Sequence, residues 1–214
     1  MKLHTYYRSS ASYRVRIALG LKQLNAEQAY THLTRNGGEQ FGAGFDALNP
    51  QHLLPVLEED GLTLNQSLAI IEYLDETRPA SPLLPADAAG RERVRALSQA
   101  IACEIHPLNN LRVLKYLSET LKVTPEQKNA WYRHWVKLGL DALEATLARD
   151  AETGRFCHGD MPTMADCCLI PQLYNARRFE CDLSGYPTIL RIEEACAGLP
   201  AFAAARPEAQ PDAE

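Results

Sequence analysis

Hydrophobic positions along the first eighty residues change period several times. Residues 2–7 form a short apolar segment that reads as a strand. From Val15 the apolar residues Val15, Ile17, Ala18, Leu19 and Leu21 fall on a helical stripe with basic residues between them, which predicts a helix over 10–22. Residues 27–33 alternate weakly and run into Asn36-Gly37-Gly38, a loop signal, so the chain opens as a β-α-β unit. A short irregular helix over 41–48 precedes Asn49-Pro50. Residues 53–57 then predict a strand with Pro55 near its start, Glu59-Asp60-Gly61 a turn and 62–64 a second strand, which together make a hairpin. Gln66-Ser67 opens a helix carried by Leu68, Ile70, Ile71 and Leu74 to about Thr77, with Ser67 in the capping position.

Segment 78–85 holds Pro79, Pro82 and Pro85 and ends the helical pattern, which marks a domain boundary. Beyond it the period is helical throughout. The expected division is an α/β domain over 1–79, a linker over 80–87 and an all-helical domain over 88–214. Within the last, residues 91–115 read as one long helix bent at Pro107, and 126–147 as another. Thr163-Met164-Ala165-Asp166 has the spacing of a capping box, with Asp in the place usually held by Glu or Gln, and a buried helix begins there. The Ala/Pro/Glu-rich stretch after Ala203 reads as frayed.

Composition narrows the function classes. The chain has 214 residues, a net charge of −5 and scattered rather than clustered basic residues, which argues against nucleic acid or an anionic membrane as the partner. No apolar run approaches the length of a membrane span, and the first residues lack the apolar core of a secretion signal, so a cytoplasmic location is expected. The six cysteines, Cys103, Cys157, Cys167, Cys168, Cys181 and Cys196, form no CxxC and no spaced ligand set with histidine. They read as reduced, mostly buried small side chains, and no metal is expected.

Candidate chemistry gathers first at Arg8-Ser9-Ser10-Ala11-Ser12. Three hydroxyls and an arginine stand where a helix begins, beside amides with no partners inside the helix and at the positive end of its dipole. Such a place stabilises an anion, a thiolate in particular, although capping alone also explains these residue types. The start of the helix at Gln66-Ser67 is a second anion site of the same kind. Between them Pro55 cannot donate to a central strand, which suggests an edge, a bulge or a cis bond beside a site, with an ordinary strand-initiating proline as the alternative. His106-Pro107-Leu108-Asn109-Asn110-Leu111-Arg112 forms a further cluster. On an ideal helix His106 and Asn110 share a face, and Arg112 needs the distortion at Pro107 to join them. Arg177-Arg178 is either one more candidate or an exposed basic pair.

The two helix starts, the proline strand between them and the Thr163–Asp166 box resemble the glutathione transferase family over the whole chain. The run from Arg8 through Leu19 is similar to the signature of its zeta class. The resemblance implies a thioredoxin-like N-terminal domain with a cis bond at Leu54-Pro55, an all-helical C-terminal domain, glutathione as cofactor and a homodimer. It implies a catalytic site at Ser9, Ser10 and Arg8, and glutathione held by Ser9, Ser10, Gln40, Leu54, Gln66, Ser67, His106, Asn110 and Arg112. Arg8, Arg112 and Arg178 would hold the carboxylates of a small dicarboxylate substrate, because planar guanidinium forks fix carboxylates in orientation. The implied reaction is cis-trans isomerisation of maleylacetoacetate, with maleylpyruvate as the alternative substrate. Conjugation or dehalogenation of small electrophiles is a second enzymatic reading, and a non-catalytic binding module a third. One departure matters: the class usually has cysteine after the two serines, and this chain has Ala11, so a covalent role for a protein thiol at that position is excluded.

Overall fold

Four strands, β1 (Lys2–Thr5), β2 (Glu27–Tyr30), β3 (Val56–Glu59) and β4 (Leu62–Asn65), form one mixed sheet in the order β2-β1-β3-β4 in the computed structural model, which describes residues 1–214. Strand β1 runs parallel to β2, with Leu3 opposite Gln28, and antiparallel to β3, with Leu3 opposite Leu57. A parallel pair needs a crossover, which α1 (Ser10–Leu21) supplies, and β3 and β4 make the expected hairpin. Helix α2 (Ala43–Asp46) is a single turn, and α3 (Ser67–Thr77) follows the hairpin. The bond between Leu54 and Pro55 is cis.

The chain divides into two units. The first comprises Met1–Leu83 together with Ala197–Glu214, and the second Leu84–Cys196. In the first, Leu3, Val15, Ile17, Val56, Leu57, Ile70, Ile71 and Leu74 are wholly buried. Helix α1 is buried from Ser12 through Leu19 without interruption, so it has no solvent face of the kind an amphipathic stripe presents. The reason is α9 (Pro200–Ala205), which packs against it. A side chain at Gly20 would lie 3.0 Å from Cβ of Ala201. The stretch after Ala203, expected to fray, instead completes α9 and forms a 3₁₀ turn over Pro207–Ala209; it belongs to the first unit, and Ala205, Pro207 and Gln210 are buried. Its alanines and prolines are the small, rigid residues that let two helices approach closely.

The second unit is helical: α4 (Ala88–Gln99), α5 (Leu111–Lys115), α6 (Pro125–Arg149), α7 (Met164–Arg178) and most of α8 (Pro187–Ala197). The single bent helix expected over 91–115 is instead broken. Residues Ala100–Ile105 widen into a π-helical stretch in which the His106 amide reaches the Ile101 carbonyl at 3.0 Å. A 3₁₀ turn over Pro107–Asn109 follows, and Asn110 is extended at φ −66° and ψ 150°. Proline at 107 has no N–H to continue the ladder, and Asn110 then restarts a helix by capping the Arg112 amide at 3.2 Å. The capping box at the start of α7 forms, and Asp166 takes hydrogen bonds from the Thr163 amide at 2.7 Å, the Thr163 hydroxyl at 3.0 Å and the Cys157 amide at 2.9 Å. No helix is long and apolar enough to cross a membrane.

Candidate active site

The turn from β1 into α1 carries the first part of the site. The Ser9 amide donates to the Tyr6 carbonyl at 2.9 Å, and Ser9 then sits extended at φ −69° and ψ 113° as the cap of α1, its Oγ accepting from the Ser12 amide at 3.2 Å. Ser10 is the first helical residue and is buried. The first turn of α1 contains no acidic side chain, so nothing on the helix neutralises the positive end of its dipole. Ser12 Oγ is buried without a hydrogen-bond partner. Arg8 is exposed, its guanidinium 4.9 Å from the centre of the Tyr7 ring. The neighbouring Tyr6 hydroxyl, raised to about 12 chiefly by burial, stays protonated at neutral pH.

The second helix start differs from its expected form. The capping position is held by Gln66, in the left-handed region at φ 69°, and Ser67 is the first helical residue. With no side chain capping α3, the amides at its start are left to another acceptor. Ser67 is buried, and its Oγ accepts from Nη1 of Arg14 at 3.1 Å, a bond that ties α1 to the start of α3. Gln66 is exposed and donates to Gln51 Oε1 at 2.9 Å, across the loop that leads to Leu54 and Pro55. Gln40 is buried in a 3₁₀ turn. Its Nε2 donates to the Leu33 carbonyl at 3.4 Å, its own carbonyl lies 2.9 Å from His52 Nδ1, and its Oε1 is buried without a partner.

In the first unit the structure thus links Ser9 and Ser10 to Ser67 through α1 and Arg14, and Gln66 to the loop before Leu54. The remaining predicted residues lie in the second unit. His106 ends the π-helical stretch, half-buried, and no longer shares a helical face with Asn110, whose Oδ1 is used in capping. Arg112 is exposed on the first turn of α5, and Arg178 ends α7, exposed, donating to Asn175 Oδ1 at 3.2 Å. Arg177 is paired with Glu193. A cavity of about 620 Å³ between α4, the π-helical stretch and α6 is lined by Arg93, Glu104, Trp135 and Leu138 and by none of the predicted site residues.

Two further arginines carry no signal in the sequence. Arg14 and Arg16 are basic residues spaced between apolar ones, a pattern that predicts exposure, yet both are buried. Burial lowers Arg16 to about 10, still charged at neutral pH, with Asp212 pulling the other way. All six cysteines fall in the second unit, so the first contains none. Burial holds the Cys157 and Cys167 thiols well above their ordinary range, which leaves them inert as nucleophiles.

Residues 8–77 match the family described as "Glutathione S-transferase, N-terminal domain", and residues 129–204 match "Glutathione S-transferase, C-terminal domain". A probable maleylacetoacetate isomerase of Vibrio cholerae is 54% identical over 99% of this chain and 97% of its own. A holo structure of maleylpyruvate isomerase, described as a bacterial zeta-class glutathione S-transferase, superposes with a TM-score of 0.97 at 48% identity and covers 100% of both chains. A maleylacetoacetate isomerase of Anaeromyxobacter dehalogenans, crystallised with dicarboxyethyl glutathione and citrate in its active site, does so with a TM-score of 0.87 at 48% identity, over 100% of this chain and 97% of that one. With two acid-free or uncapped helix starts in the first unit, a cis proline between them and relatives this similar over the full length, the chain belongs to the zeta class of the glutathione S-transferases.

Proposed function

We propose that this protein is a glutathione-dependent cis-trans isomerase that converts maleylacetoacetate to its trans isomer. The observation that carries the reading is the start of α1: two serines at an acid-free helix N-terminus, in a unit with no cysteine of its own. The geometry is fitted to a thiolate, and the thiol has to come from the ligand. Glutathione's sulfur sits at Ser9 and Ser10, its backbone against Leu54, its γ-glutamyl carboxylate at the open start of α3 beside Gln66 and Ser67, and its glycyl end toward Gln40. His106, Asn110 and Arg112 complete its binding.

The thiolate adds to the activated double bond. A C–S bond forms, and the displaced π electrons move onto the conjugated carbonyl oxygen as an enolate. The former double bond, now single, rotates. The electrons then return, the C–S bond breaks and the thiolate is regenerated with the trans acid. The charge that develops on the enolate oxygen is met by arginine or by the helix start, and Arg8, Arg112 and Arg178 hold the substrate's carboxylates. A glutathione thioether carrying two carboxylates, the species bound by the Anaeromyxobacter relative, is the kind of adduct this route passes through.

Maleylpyruvate is the second substrate reading, favoured by the TM-score of 0.97 to an isomerase of that acid. The two acids differ by one methylene, worth about 1–3 kcal/mol in a pocket, so one site can serve both. The same reading makes residues 1–79 the domain that holds most of glutathione and 88–214 the domain that holds most of the substrate, with a cytoplasmic homodimer as the working form. The test is isomerisation of maleylacetone with and without glutathione. Turnover that requires glutathione and is not supported by S-methylglutathione is expected. Turnover without any thiol, or none with glutathione, overturns the proposal.

A further inference from the structure

The turn that presents Ser9 and Ser10 is held by two charged side chains, Arg16 and Asp212. Arg16, 5% exposed, donates through Nη1 to Thr5 Oγ1 at 3.1 Å and to the Tyr6 carbonyl at 3.4 Å, through Nη2 to the Tyr7 carbonyl at 3.0 Å, and through Nε to the Ala205 carbonyl at 3.2 Å. The Tyr7 amide donates to Asp212 Oδ2 at 3.0 Å. The Tyr6 carbonyl also takes the Ser9 amide, which closes the turn. Asp212 Oδ1 is buried without a hydrogen-bond partner, a costly arrangement that the Arg16 charge offsets. The segment 197–214 thus reaches the site-forming turn through one side chain, 205 positions away in sequence.

We propose that Asp212 is a positioning residue for thiol activation: by fixing the Tyr7 amide it sets the turn from which the Ser9 and Ser10 hydroxyls meet the glutathione sulfur. The proposal rests on the glutathione site described above. Ser10 lies three positions beyond Tyr7, and the fixed points of the turn are the backbone groups of Tyr6, Tyr7 and Ser9 and the Ser9 hydroxyl. Losing one leaves the Tyr7 amide without its acceptor and the Ser9 conformation free to drift. Hydrogen bonds to an anion weaken steeply with distance and angle, so a small displacement raises the thiol's pKa before it weakens binding of the peptide, which has several other contacts.

The test uses the full chain carrying D212A, D212S or D212N. It measures the pKa of bound glutathione's thiol from thiolate absorbance, together with kcat and the glutathione KM for maleylacetone isomerisation across pH. Asparagine keeps an oxygen at the same reach, whereas alanine and serine do not. In D212A and D212S the thiol pKa is expected to rise by about one unit and kcat at neutral pH to fall about tenfold, in proportion to the thiolate fraction. The glutathione KM changes by less than about threefold, the loss closes as pH passes the new pKa, and D212N stays near the wild type. An unshifted thiol pKa in a folded D212A or D212S overturns the proposal, as does an equal loss in D212N. Failure of both D212A and D212S to fold assigns Asp212 to stability alone and overturns it too. The wild type separates the two layers: if it does not lower the thiol pKa of glutathione, the cofactor site itself is misassigned, whereas a lowered value shared by the variants removes only Asp212.

Discussion

The Ser9 hydroxyl carries two duties, and Ser10 shares only one of them. Its oxygen accepts the Ser12 amide as the cap of α1, while its proton remains available to a ligand sulfur. Ser9→Ala should therefore lose both stability and thiol activation. The capping loss is about 1 kcal/mol, which lowers Tm by about 2–4 °C in a chain of this size. Ser10→Ala should raise the thiol pKa with no capping loss. Scanning calorimetry beside thiolate absorbance separates the two, and an unchanged Tm in Ser9→Ala would contradict the cap. Arg178 is exposed, with a hydrogen bond to Asn175 and its guanidinium 5.8 Å from the centre of the Phe179 ring, contacts weak enough to be exchanged for a carboxylate. Arg178→Ala is expected to raise KM about tenfold for the dianionic acids and little for monoanionic maleylacetone, because only a second carboxylate needs a second guanidinium. Equal changes for all of them would remove Arg178 from that role. Ser9, Ser10, Gln66 and Ser67 could be read from the chain because helix starts announce themselves through local residue types. Arg14, Arg16 and Asp212 could not, since what makes them matter is burial and partners brought from far along the sequence.

Among the elements, α1, the hairpin, α3, α6 and the start of α7 follow from periodicity and caps, signals confined to a few neighbouring residues. The break between 100 and 110 does not. Pro107 predicts a bend, but whether a helix bends or stops depends on a residue ready to restart it, and Asn110 does so by capping Arg112. The same holds for Gln66, whose positive φ displaces the cap expected at Ser67. Helix α4 is anchored to the loop after α6 by Arg93, which donates to Asp150 Oδ2 at 2.5 Å, the Cys157 carbonyl at 2.7 Å and Thr153 Oγ1 at 2.7 Å. That first hydrogen bond holds the Asp150 carboxyl below its ordinary value. A carboxyl depressed in the folded state contributes stability above its unfolded pKa and loses it as pH falls through the folded one. Between about pH 5 and 2 the wild type should therefore lose more Tm than Asp150→Asn, measured by thermal melts at matched ionic strength. Parallel losses would mean that the pair adds no acid sensitivity.

In the whole molecule, the proline-rich stretch 78–85 signals a change of architecture but not that the chain comes back. Residues 197–214 return to the first unit, where α9 covers α1 and Asp212 reaches Tyr7. A fragment of residues 1–83 lacks that cover, leaving the Gly20 side of α1 bare and Arg16 without the Ala205 carbonyl. It should melt without a cooperative transition by circular dichroism, and addition of a 197–214 peptide should restore one. A cooperative melt of the fragment alone would contradict this.

That return has a consequence for how the protein is made. Translation delivers the strands and α1 early, then spends roughly 6–20 s on the 110 or so residues of the second unit before α9 exists, at about 5–20 residues per second. For that interval the nascent first unit waits beside the ribosome with one wall missing, and the turn at Tyr7 lacks its carboxylate. Synonymous codons that slow the ribosome between 84 and 196 should lengthen the wait and lower the yield of active enzyme, while the same codons placed over 1–83 leave it unchanged.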